Sequence, residues 1–243
     1  MCRRQTPSRR ASPRAGGWFA RGRAHQAWQG AVLAYDGTGR LIRRLRAPGR
    51  DGYRPAAVAL HGGRLYVADI HAHYVDVFSA CDGAFLDSFG GLGSEEGRFY
   101  FPMGVTVDAG GNVYVADMMN SRVQVFDDQH APFLSIGQRG NRFGDLGKPR
   151  HLAASPDGVL FIADVEFAHV HLFNRRGQLL MLLGGPEDKP GGTPAPVGVA
   201  LAANLPESFA SLVPKDFCAQ YYLFVSNTTG SKRLSLFAVG APR

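Results

Sequence analysis

The chain has 243 residues, 45% of them hydrophobic and 19% charged, with 31 Gly, 15 Pro, 16 Phe and 8 Tyr and a mean hydropathy of −0.12. Glycine plus proline stays below the roughly 25–30% of low-complexity chains and the aromatics supply core material, so disorder, collagen and a membrane-embedded fold are excluded. The formal charge of +7 is uneven: residues 1–50 hold 12 of the 27 basic residues and one acid, Asp36, which leaves residues 51–243 at −4. Phosphate binding needs a basic footprint spread over a domain face, and the body lacks that excess, so nucleic acid is a poor partner for it.

Residues 1–30 are Arg-rich, and their longest apolar cluster is Trp18-Phe19-Ala20. They contain no apolar stretch of the length a secretory signal or a transmembrane helix requires. The composition fits an organelle transit peptide or an arbitrary extension of the reading frame, and a disordered or spurious head is expected. Cys2, Cys81 and Cys218 form no C-x-x-C and no C-x-x-C-H, so no zinc knuckle or covalent haem is indicated.

From residue 31 onward the chain repeats. Pro55, Pro102, Pro149 and Pro196 are evenly spaced at 47 residues, as are Gly90, Gly137 and Gly184. Asp69, Asp117 and Asp164 close the segments RLYVAD, NVYVAD and VLFIAD at nearly the same interval, and Phe78, Phe126 and Phe173 keep step. Each repeat alternates short apolar runs with Gly, Asp and Asn turns, the pattern of four short strands. In the clearest copy, strand a spans 104–108, b 112–117, c 122–127 and d 133–137, with turns at 108–112 and 127–130. A four-stranded antiparallel meander cannot bury both faces alone, so its neighbours must stack on it. Stacking such sheets around an axis makes a β-propeller.

The string FPMGVTVDAGGNVYVADMMNSRVQVFD, residues 101–127, resembles an NHL repeat, the unit of six-bladed propellers. The resemblance extends over about residues 31–243. The closing segment YYLFVSNTTGSKRLSLF, residues 221–237, is similar to bacterial NHL proteins that are exported, often lipid-anchored and found with cytochrome systems. That implies a periplasmic or envelope location, although the sequence carries no export signal, so location stays open.

The expected blades follow in chain order. Residues 31–36 and 41–46 are strands c and d of a partial blade; three full blades lie near 54–90, 101–137 and 148–184. The last repeat starts at Pro196, takes an insertion around 204–220, resumes with b over 221–227 and c over 233–239, and has no d strand. The expectation is an all-β propeller of about 17 strands, three full and two partial blades. This falls short of a six-bladed ring and reads as an N-terminally truncated propeller.

Candidate chemistry clusters on one end of the blades. The b-to-c turn carries Asp117, Asn120 and Arg122, an Asp-x-x-Asn-x-Arg pattern; the acid and amide suit a turn and the Arg can bridge to the carboxylate. Structural glue is one reading of this turn, and a binding surface is the other. The Gly-rich d-to-a connections 90–101, 137–148 and 184–195 share that face in propeller geometry. They bring Arg98, Tyr100, Arg139, Arg142 and Phe143 toward the channel mouth, a set fit to anchor a protein or peptide. Among the histidines, His169 and His171 share one face of a c strand, and His151 alone sits on an inner strand. Metal-dependent propeller enzymes need several ligands converging on the axis, and only His151 is placed to reach it. No G-x-S-x-G, P-loop or H-E-x-x-H occurs.

The reading is therefore a non-enzymatic interaction scaffold with no cofactor. Its alternatives are a gluconolactonase-like or amidating-lyase-like metal enzyme whose remaining ligands lie in missing blades, and an RNA-binding NHL propeller.

Overall fold

The computed structural model describes residues 17–21, 30–185, 191–205, 207–210, 217–231 and 233–242. Eighteen strands among them form five antiparallel sheets. Blade 1 holds β1 (Gly17–Arg21), β2 (Ala31–Tyr35) and β3 (Leu41–Leu45). Blade 2 holds β4 (Pro55–His61), β5 (Arg64–Asp69), β6 (Tyr74–Ser79) and β7 (Phe85–Gly90). Blade 3 holds β8 (Pro102–Val107), β9 (Val113–Asp117), β10 (Arg122–Phe126) and β11 (Pro132–Ile136). Blade 4 holds β12 (Pro149–Ala154), β13 (Leu160–Asp164), β14 (His169–Phe173) and β15 (Leu179–Gly184). Blade 5 holds β16 (Pro196–Ala202), β17 (Phe217–Asn227) and β18 (Leu234–Pro242).

Each blade pairs its strands in sequence order, as a meander must. The inner strands β4, β8, β12 and β16 lie side by side and set the blades radially. The b strands, read as continuous apolar runs, are buried on both faces: every residue of β9 and β13 is buried. The outer strands β3 and β11 alternate, because only one face of an outer strand meets a neighbour, while β7 and β15 have no fully buried residue. Four buried clusters weld the four junctions between successive blades. The repeating Phe sits in them: Phe78 packs toward blade 1, Phe126 toward blade 2 and Phe173 toward blade 3.

The predicted strands of blade 3 agree with the structure to within two residues, and the missing d strand of blade 5 is likewise absent among the described residues. Two features differ. The head expected to be disordered contributes β1, which pairs residue by residue with β2 and takes the b position of blade 1. Residues 31–34 of β2 are buried, and a buried strand edge needs a hydrogen-bonding partner. The rest of the head, residues 1–16 and 22–29, lies outside the described residues. In blade 5 the predicted insertion contains a four-residue helix, α1 (Glu207–Ala210), and gives its last residues to a b strand of eleven residues. No helix among the described residues is long and apolar enough to cross a membrane.

Candidate functional site

The 47-residue register has a structural origin that also builds the candidate face. Each repeating proline opens an inner strand opposite the residue that closes strand b: Pro55 faces Asp69, Pro102 faces Asp117, Pro149 faces Asp164 and Pro196 faces Asn227. Proline suits the first position of a strand, where no ladder donor is needed. The facing carboxylate instead takes amide protons from the loop entering the proline. Asp69 accepts from the Arg54 N–H at 3.0 Å, Asp117 from Tyr100 at 2.7 Å, and Asp164 from Gly147 at 2.7 Å and Lys148 at 3.0 Å. All three carboxylates are fully buried, so each d-to-a loop is pinned to the b-to-c turn beside it.

In blade 3 this pin grows into a network. Asn120 Nδ2 donates to Asp117 at 2.8 Å and to the Gly93 carbonyl at 2.9 Å. Arg122 pairs with Asp117 at 2.9 Å and donates to the Glu95 and Arg98 carbonyls. Gln124 accepts from Gly97 N–H and donates to Arg98 O at 2.7 Å. Burial raises the Asp117 carboxyl while its hydrogen bonds lower it, and burial is the larger effect. Asp117, Asn120 and Arg122 are thus committed to holding loop 90–101 in place. What they present to solvent is carried on that loop: Arg98 and Tyr100 are exposed, with Arg98 capping the Gly90 carbonyl at 2.7 Å.

Loop 137–148 presents the rest of the set. Arg139 and Arg142 are exposed, and Phe143 is 91% exposed. Arg142 and Phe143 rim a cleft of about 310 Å³ shared with Asn141, Asp145, Phe167, His169, His171 and Leu182. Arg139 lines an adjoining hollow of about 380 Å³ with Ser121, Glu166 and Phe167. His151 stands apart from both. It occupies the third position of β12, where the other inner strands carry Ala57, Gly104 and Gly198. Its Nδ1 faces the Val199 N–H at 3.5 Å, and burial holds its pKa below the usual histidine range. A neutral imidazole between two inner strands is a bridge between blades 4 and 5.

Sequence reading missed two contributors. Leu92 and Met119 stand exposed on the same face, 65% and 41%; a lone apolar residue in a loop or turn gives no periodic signal. The other is a buried cluster in blade 2, where Arg50 pairs with Asp76 at 2.9 Å and Asp69 at 3.7 Å and lies over the Tyr74 ring at 4.1 Å. Two buried carboxylates share one guanidinium, and burial with the Asp69 charge pushes Asp76 up to about 7. A signal existed: the third residue of the c strand is polar within an apolar run in blades 2, 3 and 4, as Asp76, Gln124 and His171 show.

The repeat's identity follows from residues 99–126, which match the NHL repeat family. The chain carries an NHL repeat over those residues. It is 30% identical over 151 residues to the human NHL repeat-containing protein 3, covering 57% of this chain and 43% of that protein. It is 30% identical over 124 residues to the Drosophila melanogaster peptidyl-alpha-hydroxyglycine alpha-amidating lyase 2, covering 49% of this chain and 29% of that one. The chain therefore spans less than half the length of these curated relatives. A streptogramin B lyase structure superposes with a TM-score of 0.59 at 12% identity over 93% of this chain and 74% of that one, a likeness of propeller fold alone. Among the described residues of the NHL blades, no three His, Cys, Asp or Glu side chains are grouped as metal ligands.

Proposed function

We propose that this NHL-repeat chain is a non-enzymatic scaffold that holds a partner protein or peptide on the face built by the d-to-a loops and b-to-c turns. One observation carries the reading. Leu92, Tyr100, Met119 and Phe143 stand out of that face, interleaved with Arg98, Arg139 and Arg142. Exposed aromatics beside arginines are the residues that anchor interfaces. The buried Asp pins hold the loops in shape before any partner arrives, which lowers the ordering cost of binding. The exposed Glu95 and Glu96 give loop 90–101 an acidic edge beside the arginines and supply charge selection at the rim.

The test is affinity capture from the native source with the wild-type chain and with a Tyr100→Ser/Phe143→Ser variant of unchanged thermal stability. The expected result is a partner retained by the wild type and lost by the variant. Equal retention by both overturns the assignment of this face.

The resemblance to an amidating lyase favours a second reading, a metal-dependent enzyme. Metal content after chelator-free purification separates the two: the scaffold reading expects far less than one metal ion per chain, and stoichiometric zinc or calcium overturns it.

A further inference from the structure

The wedge between each c strand and the loop packed against it is closed in two blades and open in one. In blade 2 the guanidinium of Arg50 fills it, pairing with Asp76 and Asp69. In blade 3 Arg122 and Gln124 fill it, bonded to loop 90–101. In blade 4 the corresponding residues are His169 and His171, and they leave the cleft of about 310 Å³ under Arg142 and Phe143. That size falls at the small end of ligand pockets, the scale of a single ring with a short substituent.

The floor of this cleft is unfinished. His171 is only 3% exposed, yet neither of its ring nitrogens has a hydrogen-bond partner. Buried polar groups are rarely left so, because each loses its hydrogen bonds to water without replacement. The ring lies parallel to Phe173, and burial holds its pKa below the usual histidine range, opposed by the Asp164 charge and aided by His169. Beside it, His169 Nδ1 donates to the Phe167 carbonyl, which leaves Nε2 as the nitrogen available to a ligand. Asp164 below is satisfied by backbone amides, including Glu166 and Phe167. Phe143, Phe167 and Leu182 make an apolar wall, and Asn141, Arg142 and Asp145 complete the lining.

The two unpartnered His171 nitrogens and His169 Nε2 put donor and acceptor capacity side by side, and a hydroxyl, which both donates and accepts, uses both. A carboxylate would require a cationic floor, and the arginine of this cleft, Arg142, lines it together with the Asp145 carboxylate. We infer that this cleft binds a hydroxylated aromatic ring, the ring against Phe143, Phe167 and Leu182 and the hydroxyl on His169 and His171. This goes beyond the scaffold reading, since its floor is buried and takes no part in the exposed rim.

Calorimetric titration of the full chain with 4-methylphenol and 4-methylanisole, which lacks the hydroxyl proton, tests the inference. The phenol should bind about tenfold more tightly than the ether, the worth of one hydrogen bond, and His171→Phe should erase that difference. In the wild type the phenol alone should shift the His171 imidazole nitrogen resonance, a readout independent of how the variant folds. N-acetyltyrosinamide binding as well as 4-methylphenol assigns the ring to a tyrosine of a partner; 4-methylphenol binding alone assigns it to a small molecule. No saturable phenol binding below about 10 mM, equal affinity for phenol and ether, or an unmoved imidazole resonance overturns the inference. Such a failure leaves partner capture by the rim untouched.

Discussion

At the scale of single residues, the conserved interval of the repeat is a record of backbone geometry. Gly90, Gly137 and Gly184 have φ of +112°, +76° and +107°. In each the loop folds back so that the residue nine positions on covers the missing side chain; a Cβ at Gly137 would lie 2.6 Å from Leu146. Gly137→Ala therefore meets both a left-handed backbone and a packed neighbour. A loss of about 2 kcal/mol or more is expected, read as a lower urea midpoint with unchanged slope.

Asp76 makes the second residue-scale prediction. Its carboxyl is pushed up to about 7 in the fold, against 3.8 when free. A group whose pKa is raised by folding stabilises the fold in its protonated form. That contribution is whole below about pH 4 and is lost as the pH rises through about 7. The stability of the wild type relative to Asp76→Asn should fall steadily from pH 4 to pH 8 in thermal melts; a constant difference would mean that Asp76 stays ionised throughout.

At the scale of elements, the blade junctions carry the energy. Phe126 is fully buried in the cluster joining blades 2 and 3, with its ring 4.8 Å from Phe89 and 5.6 Å from Phe99. Phe126→Ala should cost about 3–5 kcal/mol, measured by denaturant unfolding. Asp117→Ala attacks the fold differently, by freeing loop 90–101 at the Tyr100 amide and stranding Arg122. Amide exchange should quicken across residues 90–101 while blade 4 keeps its protection.

The strands were legible because short apolar runs mark the buried b strands, alternation marks β3 and β11, and Pro, Gly and Asp are fixed punctuation. β1 was not legible, because five residues in an Arg-rich head have no periodic context, and its existence depends on the free edge of β2. The loops were legible from their composition, and Arg98, Tyr100, Arg139, Arg142 and Phe143 on them are exposed. What sequence could not separate was bracing from display. Asp117, Asn120 and Arg122 look as functional as Tyr100, and only burial and bonding partners show that the first three hold the loop while the last stands free of it.

At the scale of the whole molecule, five sheets are joined through four buried clusters, and blades 2, 3 and 4 differ where they meet the loop face. Blades 2 and 3 spend charged and amide side chains on closing their wedges, and blade 4 does not. Loops that vary on a shared scaffold are how repeat folds acquire binding functions. The central claim is that this face, and no other, meets the partner. Cross-linking mass spectrometry on the captured complex tests it most directly. The account predicts cross-links from loops 90–101 and 137–148, with none from the a-to-b turn at 108–112 or the c-to-d turn at 127–130; cross-links concentrated on those turns or on the outer d strands would contradict it.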